Sequence, residues 1–420
     1  MHRRYHVQPL LGNSAMKRIM FVTIVPPFPD DQGNRVYTLS IMNYLVKKGY
    51  FLDVILQGGC DKKAFLDHFG NKANLIQIEH NSANINKLYS IRDDIRKLLR
   101  DDVYCGYNAE IKREIFIATN HFHPFEAIND KVVEKAKRLL KECYYEYIIC
   151  NYIYSLRVVY ELREMIENSK SMVFTIDAVS NLDSQSLDYG IDTTYRACSA
   201  RMEAECLNVA DKVLAISKSE LRYFEGIGVK NVFLCEYNAF DILRSYQIKG
   251  NTFHKKRIIF AASGNPLNKI GLDNFLKRVW PGLLHMDNEI RLLICGSICD
   301  HFNSQYKNVL FKGKLSSPEL YSMMSGCTIS INPTFLGTGL KIKSVESISI
   351  GLPFVSFDEG VDGLQELNNN AFLIAEDWID FGYKAFMLLN NKQLWLRLHR
   401  KALQIAQERF SMEEVFKSVL

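Results

Sequence analysis

Several things are missing from this 420-residue sequence. No stretch reaches the roughly 18 consecutive apolar residues that a membrane-spanning helix needs. The opening MHRRYHVQPLLGNSA has basic residues but lacks the apolar centre of a secretory signal. Residues 1–15 therefore read as a flexible N-terminal tail. Met16 opens the run MKRIMFVTIV and reads as an alternative start of translation, which native protein carrying residues 1–15 would refute. The ten cysteines include no C-x-x-C pair, and many lie in apolar runs such as YIIC, ending at Cys150, and LLIC, ending at Cys295. Buried, reduced thiols in a cytosolic protein are expected, not a disulfide framework or a metal site. No GxxxxGK[ST] motif is present, which disfavours a P-loop ATPase, and HExxH and C₂H₂ spacings are absent. No GxGxxG follows the first strand of either half, which weakens a nicotinamide or flavin oxidoreductase. Charge of one sign is also scarce: 52 basic against 47 acidic residues leave +5, small for a dedicated nucleic-acid binder.

What is present is a rhythm of strands and helices that runs twice. Apolar runs predict strands at 18–25, 51–56, 74–79, 147–150, 172–176, 212–216 and 232–236. A helix is predicted at 35–48, stopped by Gly49, and Ser217 with Glu220 spells a capping box. Polar residues dominate 242–256, and the rhythm then restarts. Strands are predicted at 257–263, 291–296, 309–313, 328–334, 353–357 and 371–376, with helices near 271–285, 318–325 and 340–350. Alternation of this kind means α/β architecture, parallel sheets with helices on both faces. The expected organisation is an N-terminal Rossmann-like domain over 16–245 and a second over 255–395. Helices of 396–420 are expected to cross back onto the first domain. Ligands bind beyond the carboxyl ends of parallel strands, so the cleft between the domains is the expected site.

The segment INPTFLGTGLKIKSVESISIGLPFV (331–355) carries the most chemistry. Gly337 and Gly339 permit a tight turn that leaves backbone N–H groups to a ligand. A helix starting near Leu340 favours an anion at its N-terminus. Lys341 and Lys343 in that first turn oppose the helix dipole unless a diphosphate neutralises them. One turn on, Glu346 can accept hydrogen bonds from ribose hydroxyls. The competing reading is an ordinary βαβ unit with solvated lysines.

The segment resembles the donor-sugar motif of GT-B glycosyltransferases, especially the retaining group 1, or family 4, enzymes. Those commonly carry two glutamates separated by seven residues, in a pattern like GxGLPxxEAxAxGxPVV. Glu346 matches the second glutamate, and Thr338 stands where the first would be. The chain instead resembles the subgroup reading G-T-G-x-K-x-K-x-x-E. Further landmarks run over roughly 16–400. The PPFPDDQGN loop, with Gly33 and Arg35, resembles the loop that approaches donor phosphate and acceptor. NVADKVLAISKSE (208–220) resembles the family's "aDxviaiS" strand. SGNPLNKIGLDNF (263–275), with Gly264, Asn268 and Lys269, resembles the opening loop of the donor domain, where Lys269 would hold the diphosphate and Asn268 support it. LLICGS with Gly296 and VLFKGKLSSPELYSMMSGC (309–327) match the next two units, with Lys312 near the base. Asp177 would lie beside the acceptor, with a capping role equally open. His80, His121 and His123 read as polar surface residues.

The resemblance implies a nucleotide-diphosphate sugar as donor substrate, a glycan or lipid-linked acceptor, and no metal or other cofactor. Lys269, Lys343 and the amides near Gly339 and Leu340 would balance the leaving diphosphate. KLYSIRDDIRKLLR (87–100) has one apolar helical face among basic residues, as in helices that rest on an anionic membrane. A cytoplasmic protein, peripheral on the inner face of the membrane, is the corresponding expectation, and nucleic acid is not an expected partner. Two rivals stay open: a GT-B nucleotide-sugar epimerase and a catalytically silent GT-B partner subunit.

Overall fold

The computed structural model describes residues 17–30, 32–79, 123–181, 198–248, 252–302, 306–335 and 340–420. Two all-parallel sheets form the two halves of the chain. The first holds β1 (Arg18–Thr23), β2 (Phe51–Gln57), β3 (Ala73–Ile78), β4 (Tyr147–Asn151), β5 (Lys170–Phe174), β6 (Lys212–Ala215) and β7 (Val232–Leu234). Their spatial order is β3-β2-β1-β4-β5-β6-β7. The second holds β8 (Arg257–Ala261), β9 (Arg291–Cys295), β10 (Val309–Gly313), β11 (Ile329–Asn332), β12 (Phe354–Ser356) and β13 (Leu373–Ile374), ordered β10-β9-β8-β11-β12-β13. Both sheets reverse direction beside their first strand. These are the switch points, between β1 and β4 and between β8 and β11, where the loops at the strand ends diverge and leave a crevice.

The strands form where apolar runs can be buried on both faces. Ile19, Met20, Phe21 and Val22 of β1 are fully buried, and each such side chain contributes about 1.5–3 kcal/mol. Asp53, a buried charge on β2, accepts from Arg18 Nε (3.2 Å) at the start of β1, Tyr145 OH (2.8 Å) and Asn74 Nδ2 (3.1 Å). Nine helices matter below: α1 (Gly33–Lys47), α2 (Ala200–Leu207), α3 (Lys218–Gly226), α4 (Pro266–Arg278), α5 (Ser317–Ser325), α6 (Ile342–Ile350), α7 (Trp378–Asn390), α8 (Lys392–Arg409) and α9 (Met412–Val415).

Two local expectations are corrected. The helix predicted near 271–285 is two helices, Pro266–Arg278 and Trp280–Met286, because Pro281 enters where a continuing helix would need its N–H. At the start of α3, Ser217 accepts from Glu220 N (3.1 Å) as expected, but the reciprocal half of the box is missing. The Glu220 carboxylate turns inward toward Thr175 Oγ1 (3.4 Å), and the full box stands at Ser316 and Glu319.

The C-terminal residues tie the halves together. Helix α8 packs on the second half, with Trp395 Nε1 donating to Thr328 O (2.6 Å). The chain then crosses back. Phe416 stacks on Tyr44 of α1 at 4.2 Å, and Lys212 Nζ donates to Ser418 O (3.0 Å). Buried Glu236 receives both Nε (2.7 Å) and Nη2 (2.6 Å) of Arg409. Among the described residues no helix is long and apolar enough to cross a membrane.

Candidate active site

Seven of the sequence-predicted residues stand at helix starts beside the two switch points. Gly33 and Arg35 open α1 directly after the β1 loop, Asn268 and Lys269 open α4 after β8, and Lys341, Lys343 and Glu346 open α6 after β11. The starts of α1 and α6 face each other across the crevice. A Cβ on Gly33 would stand 3.1 Å from Ile342 Cγ1, so the absence of a side chain lets the two helix ends meet.

Lys341 is the N-cap of α6 rather than part of its first turn, and Lys343 follows as its second residue. With no acidic residue in that turn, the positive end of the helix dipole and two ammonium groups add. Lys343 Nζ donates to Asn268 Oδ1 (2.6 Å) and lies 5.2 Å from the centre of the Phe260 ring. Burial, with Lys341 adding, pushes Lys343 down to about 7. Asn268 therefore serves Lys343, not Lys269 as expected from the sequence. The amide of Asn268 donates to Ser263 O (3.0 Å), which fixes its oxygen toward the lysine. Lys269 is half-buried at the start of α4 and follows Asn268 in sequence.

Glu346 lies one helical turn beyond Lys343 and is buried. Its Oε1 accepts from Tyr321 OH of α5 at 2.9 Å. Burial pushes this carboxyl up to about 7, against the hydrogen bond from Tyr321 and the charge of Lys343. The sequence reading did not single out Tyr321. Its only signal there was an aromatic residue in a helix, which core packing explains equally well.

Lys341 faces carboxylates from both halves. Burial lowers its proton affinity, while Asp362, Asp177, Glu220 and Glu359 raise it. Asp362 accepts from Ser219 Oγ of α3 at 3.0 Å, and Lys218 Nζ reaches Glu366 Oε1 at 2.5 Å, so this cluster lies where the halves join. Asp177, just past β5, accepts from Tyr152 OH at 3.0 Å. Burial raises the Asp177 carboxyl, while Tyr152 and Lys341 lower it. Tyr152 follows β4 with φ 73° and ψ 148°. That region is essentially reserved for glycine and costs another residue roughly 1–3 kcal/mol. Sequence reasoning missed Tyr152 too, because strain of this kind leaves no mark in composition or periodicity.

The remaining predicted residues are placed as follows. Gly264 gives its N–H to Ser297 Oγ (3.0 Å), and a Cβ there would meet His301 Nε2 at 2.4 Å. Gly296 has φ 99°, and a Cβ would stand 2.2 Å from Ala262 O. Both glycines hold the β8 and β9 exits close together. Lys312 is exposed on β10, Leu340 is buried ahead of α6, and Arg35 Nη1 donates to Pro29 O (3.2 Å). His123 Nδ1 accepts from Phe125 N (3.2 Å). Gly337, Thr338 and Gly339, the basic stretch 87–100, His80 and His121 lie outside the described residues. Among the described residues, no group of three or more His, Cys, Asp or Glu is placed to hold a metal.

Fold and site together define a two-domain GT-B architecture whose cleft gathers cationic and carboxylate side chains at helix starts. Residues 255–391 match the family model described as "Glycosyl transferases group 1". The chain is 23% identical to an uncharacterized 44.6 kDa protein in the cps region of Klebsiella pneumoniae, over 96% of this chain and 99% of the relative. Anabaena Alr3699/HepE in complex with UDP superposes with a TM-score of 0.64 at 12% identity, covering 96% of this chain and 98% of that one. A variant of S. aureus TarM, in complex with Fondaparinux, alpha-GlcNAc-glycerol and UDP, gives 0.63 at 12% identity, covering 96% and 99%. These likenesses support a GT-B glycosyltransferase.

Proposed function

We propose that this chain transfers a sugar from a nucleotide-diphosphate sugar to a hydroxyl of a glycan or lipid-linked acceptor, with retention and without a metal, as a family 4-like enzyme. The observation that carries the reading is the start of α6. There a half-buried ammonium (Lys343) and a buried carboxyl (Glu346) lie one turn apart, opposite the start of α1. Lys343, Lys341 and the helix end offer charge to a diphosphate, and Glu346 offers an acceptor to ribose hydroxyls. Lys269, half-buried at the start of α4, adds a third cation. Gly337, Thr338 and Gly339, just ahead of α6, are assigned to the donor's phosphate and sugar, and Lys312 to its base. In the transfer step the bond from the anomeric carbon to the phosphate oxygen breaks and the bond to the acceptor oxygen forms. The acceptor's proton passes to the leaving diphosphate, and preorganised charge stabilises that group.

The UDP complexes among the structural neighbours support a nucleotide donor. The relative from a cps region supports a role in cell-surface polysaccharide or glycoconjugate synthesis. We assign the protein to the cytoplasm, at the inner face of the membrane where such acceptors are anchored. The test is a binding and hydrolysis screen against UDP-, GDP-, ADP- and TDP-sugars. Micromolar binding of one class, with turnover lost in Glu346→Ala and Lys343→Ala variants that still fold, is the expected result. Binding of none overturns the reading, and release of free epimerised sugar without acceptor replaces transfer with epimerisation.

A further inference from the structure

The strongest unassigned feature is the residue that follows β4. Tyr152 holds φ 73° and ψ 148° although it is not glycine, and it does so at the carboxyl end of a strand bordering the switch point of the first sheet. Its N–H still completes the ladder by donating to Phe174 O (2.9 Å). The strain is therefore local to one residue and is not a general loss of pairing. The phenol crosses over the exit of β5 and donates to Asp177 Oδ2 at 3.0 Å, and the residue is only 7% exposed, its ring stacked beside that of Tyr154, 5.9 Å away at 24°. Strained conformations persist where their surroundings over-determine them, and they cluster at functional sites.

The charges around Asp177 give that hydrogen bond its purpose. Lys341 faces the carboxyl from the N-cap of α6. The Asp177 charge in turn raises the carboxyls of Glu203 of α2 and Glu220 of α3. Glu203 is already occupied by Val179 N (2.7 Å) and Ser180 N (3.1 Å). Among the described residues, Tyr152 and Lys341 are the groups that favour a carboxylate at Asp177, and of the two Tyr152 stands on the same half of the molecule.

We propose that Tyr152 is a positioning residue for glycosyl transfer: its backbone carries the hydroxyl to Asp177 and fixes that carboxylate on the acceptor side of the cleft, opposite Lys341. Asp177 then accepts a hydrogen bond from an acceptor hydroxyl next to the reacting one, which orients the reacting oxygen toward the donor and leaves that oxygen's own proton to pass to the departing diphosphate. This rests on the glycosyltransferase reading above. The test compares wild type with Tyr152→Phe and Tyr152→Gly, using a nucleotide sugar turned over in the panel and either water or n-octyl glucoside as acceptor.

For Tyr152→Phe, donor affinity by calorimetry is expected to stay within twofold, while kcat/KM for the acceptor falls about tenfold, the size of one well-placed hydrogen bond. The acid limb of the pH profile moves to higher pH, because Asp177 loses the bond that favours its ionised form. Tyr152→Gly relaxes the backbone yet loses the same acceptor use. A Phe variant with wild-type acceptor kinetics and pH profile overturns the proposal. So does one that loses donor affinity, acceptor use and thermal stability together, since that marks a merely structural residue. A wild type that turns over no nucleotide sugar overturns the enzymatic reading, and this proposal with it.

Discussion

Gly33 and Ile342 meet across the cleft so closely that a Cβ on the glycine would lie 3.1 Å from Cγ1 and 3.3 Å from Cβ of the isoleucine. Alanine is a better helix former than glycine by up to about 1 kcal/mol, so Gly33→Ala should leave the fold intact while pushing the starts of α1 and α6 apart. Small displacements of positioning groups are costly to catalysis, and about a tenfold rise in donor Kd is expected by calorimetry. Pairing it with Ile342→Ala should restore most of that loss. Unchanged affinity in Gly33→Ala would mean that the two helix starts need not touch.

Lys343 should make donor binding depend on pH. With Lys343 pushed down to about 7, its ammonium is lost as pH rises through neutrality. Donor affinity should fall about tenfold per pH unit above that point, as expected for one coupled proton. At pH 8, binding should take up close to one proton, read by calorimetry in buffers of different ionisation heat. Absence of uptake would place the diphosphate elsewhere.

Lys343 and Glu346 together have a stability signature. Glu346 keeps in the fold a proton that an unfolded chain releases between its ordinary 4.5 and about 7, so stability falls as pH rises through that window. Lys343 has given up a proton that an unfolded chain keeps between about 7 and the ordinary 10.5, so stability rises with pH there. The ligand-free melting temperature should therefore carry a shallow minimum near pH 7. Lys343→Met with Glu346→Gln should flatten it and abolish transfer.

Tyr321→Phe removes only the hydroxyl that reaches Glu346. Nucleotide affinity is expected to fall about fivefold to tenfold, because a hydrogen bond to a charged group is worth roughly 1.5–3 kcal/mol and part is regained by rearrangement. A nucleotide whose affinity is indifferent to Tyr321→Phe would argue against a role for Glu346 in holding it.

The sheets were legible because most of the parallel strands are largely apolar runs, and the edge strand β10 falls at 309–313 as expected. The helix start with two lysines was legible as well, since adjacent cations against the dipole are locally unfavourable and call for an anion. Tyr321, Tyr152 and the true partner of Asn268 were not. Each is defined by a contact between segments far apart in sequence: Tyr321 and Glu346 are 25 positions apart, and Asn268 and Lys343 are 75 apart. Local periodicity reports which face of an element is buried, not which polar atom waits on the other side.

Arg409 and Glu236 should dominate the attachment of the C-terminal segment. Arg409→Ala leaves a carboxylate only 3% exposed without its bidentate partner, and losing one member of a buried pair costs about 3–5 kcal/mol. Urea unfolding should report a loss of that order. Arg409→Met with Glu236→Gln should recover more than half.

That attachment also bears on synthesis. The first sheet is complete in sequence by Leu234, yet the stacking partner of Tyr44 on α1 is Phe416, and the last carbonyls near Ser418 are held by Lys212. A ribosome therefore delivers the whole second domain before the first is capped, and α1 emerges from the tunnel with an aromatic surface that must wait more than 300 residues for its cover. At ordinary elongation rates of about 5–20 residues per second, that interval lasts tens of seconds, during which a holding chaperone would find its substrate at Tyr44.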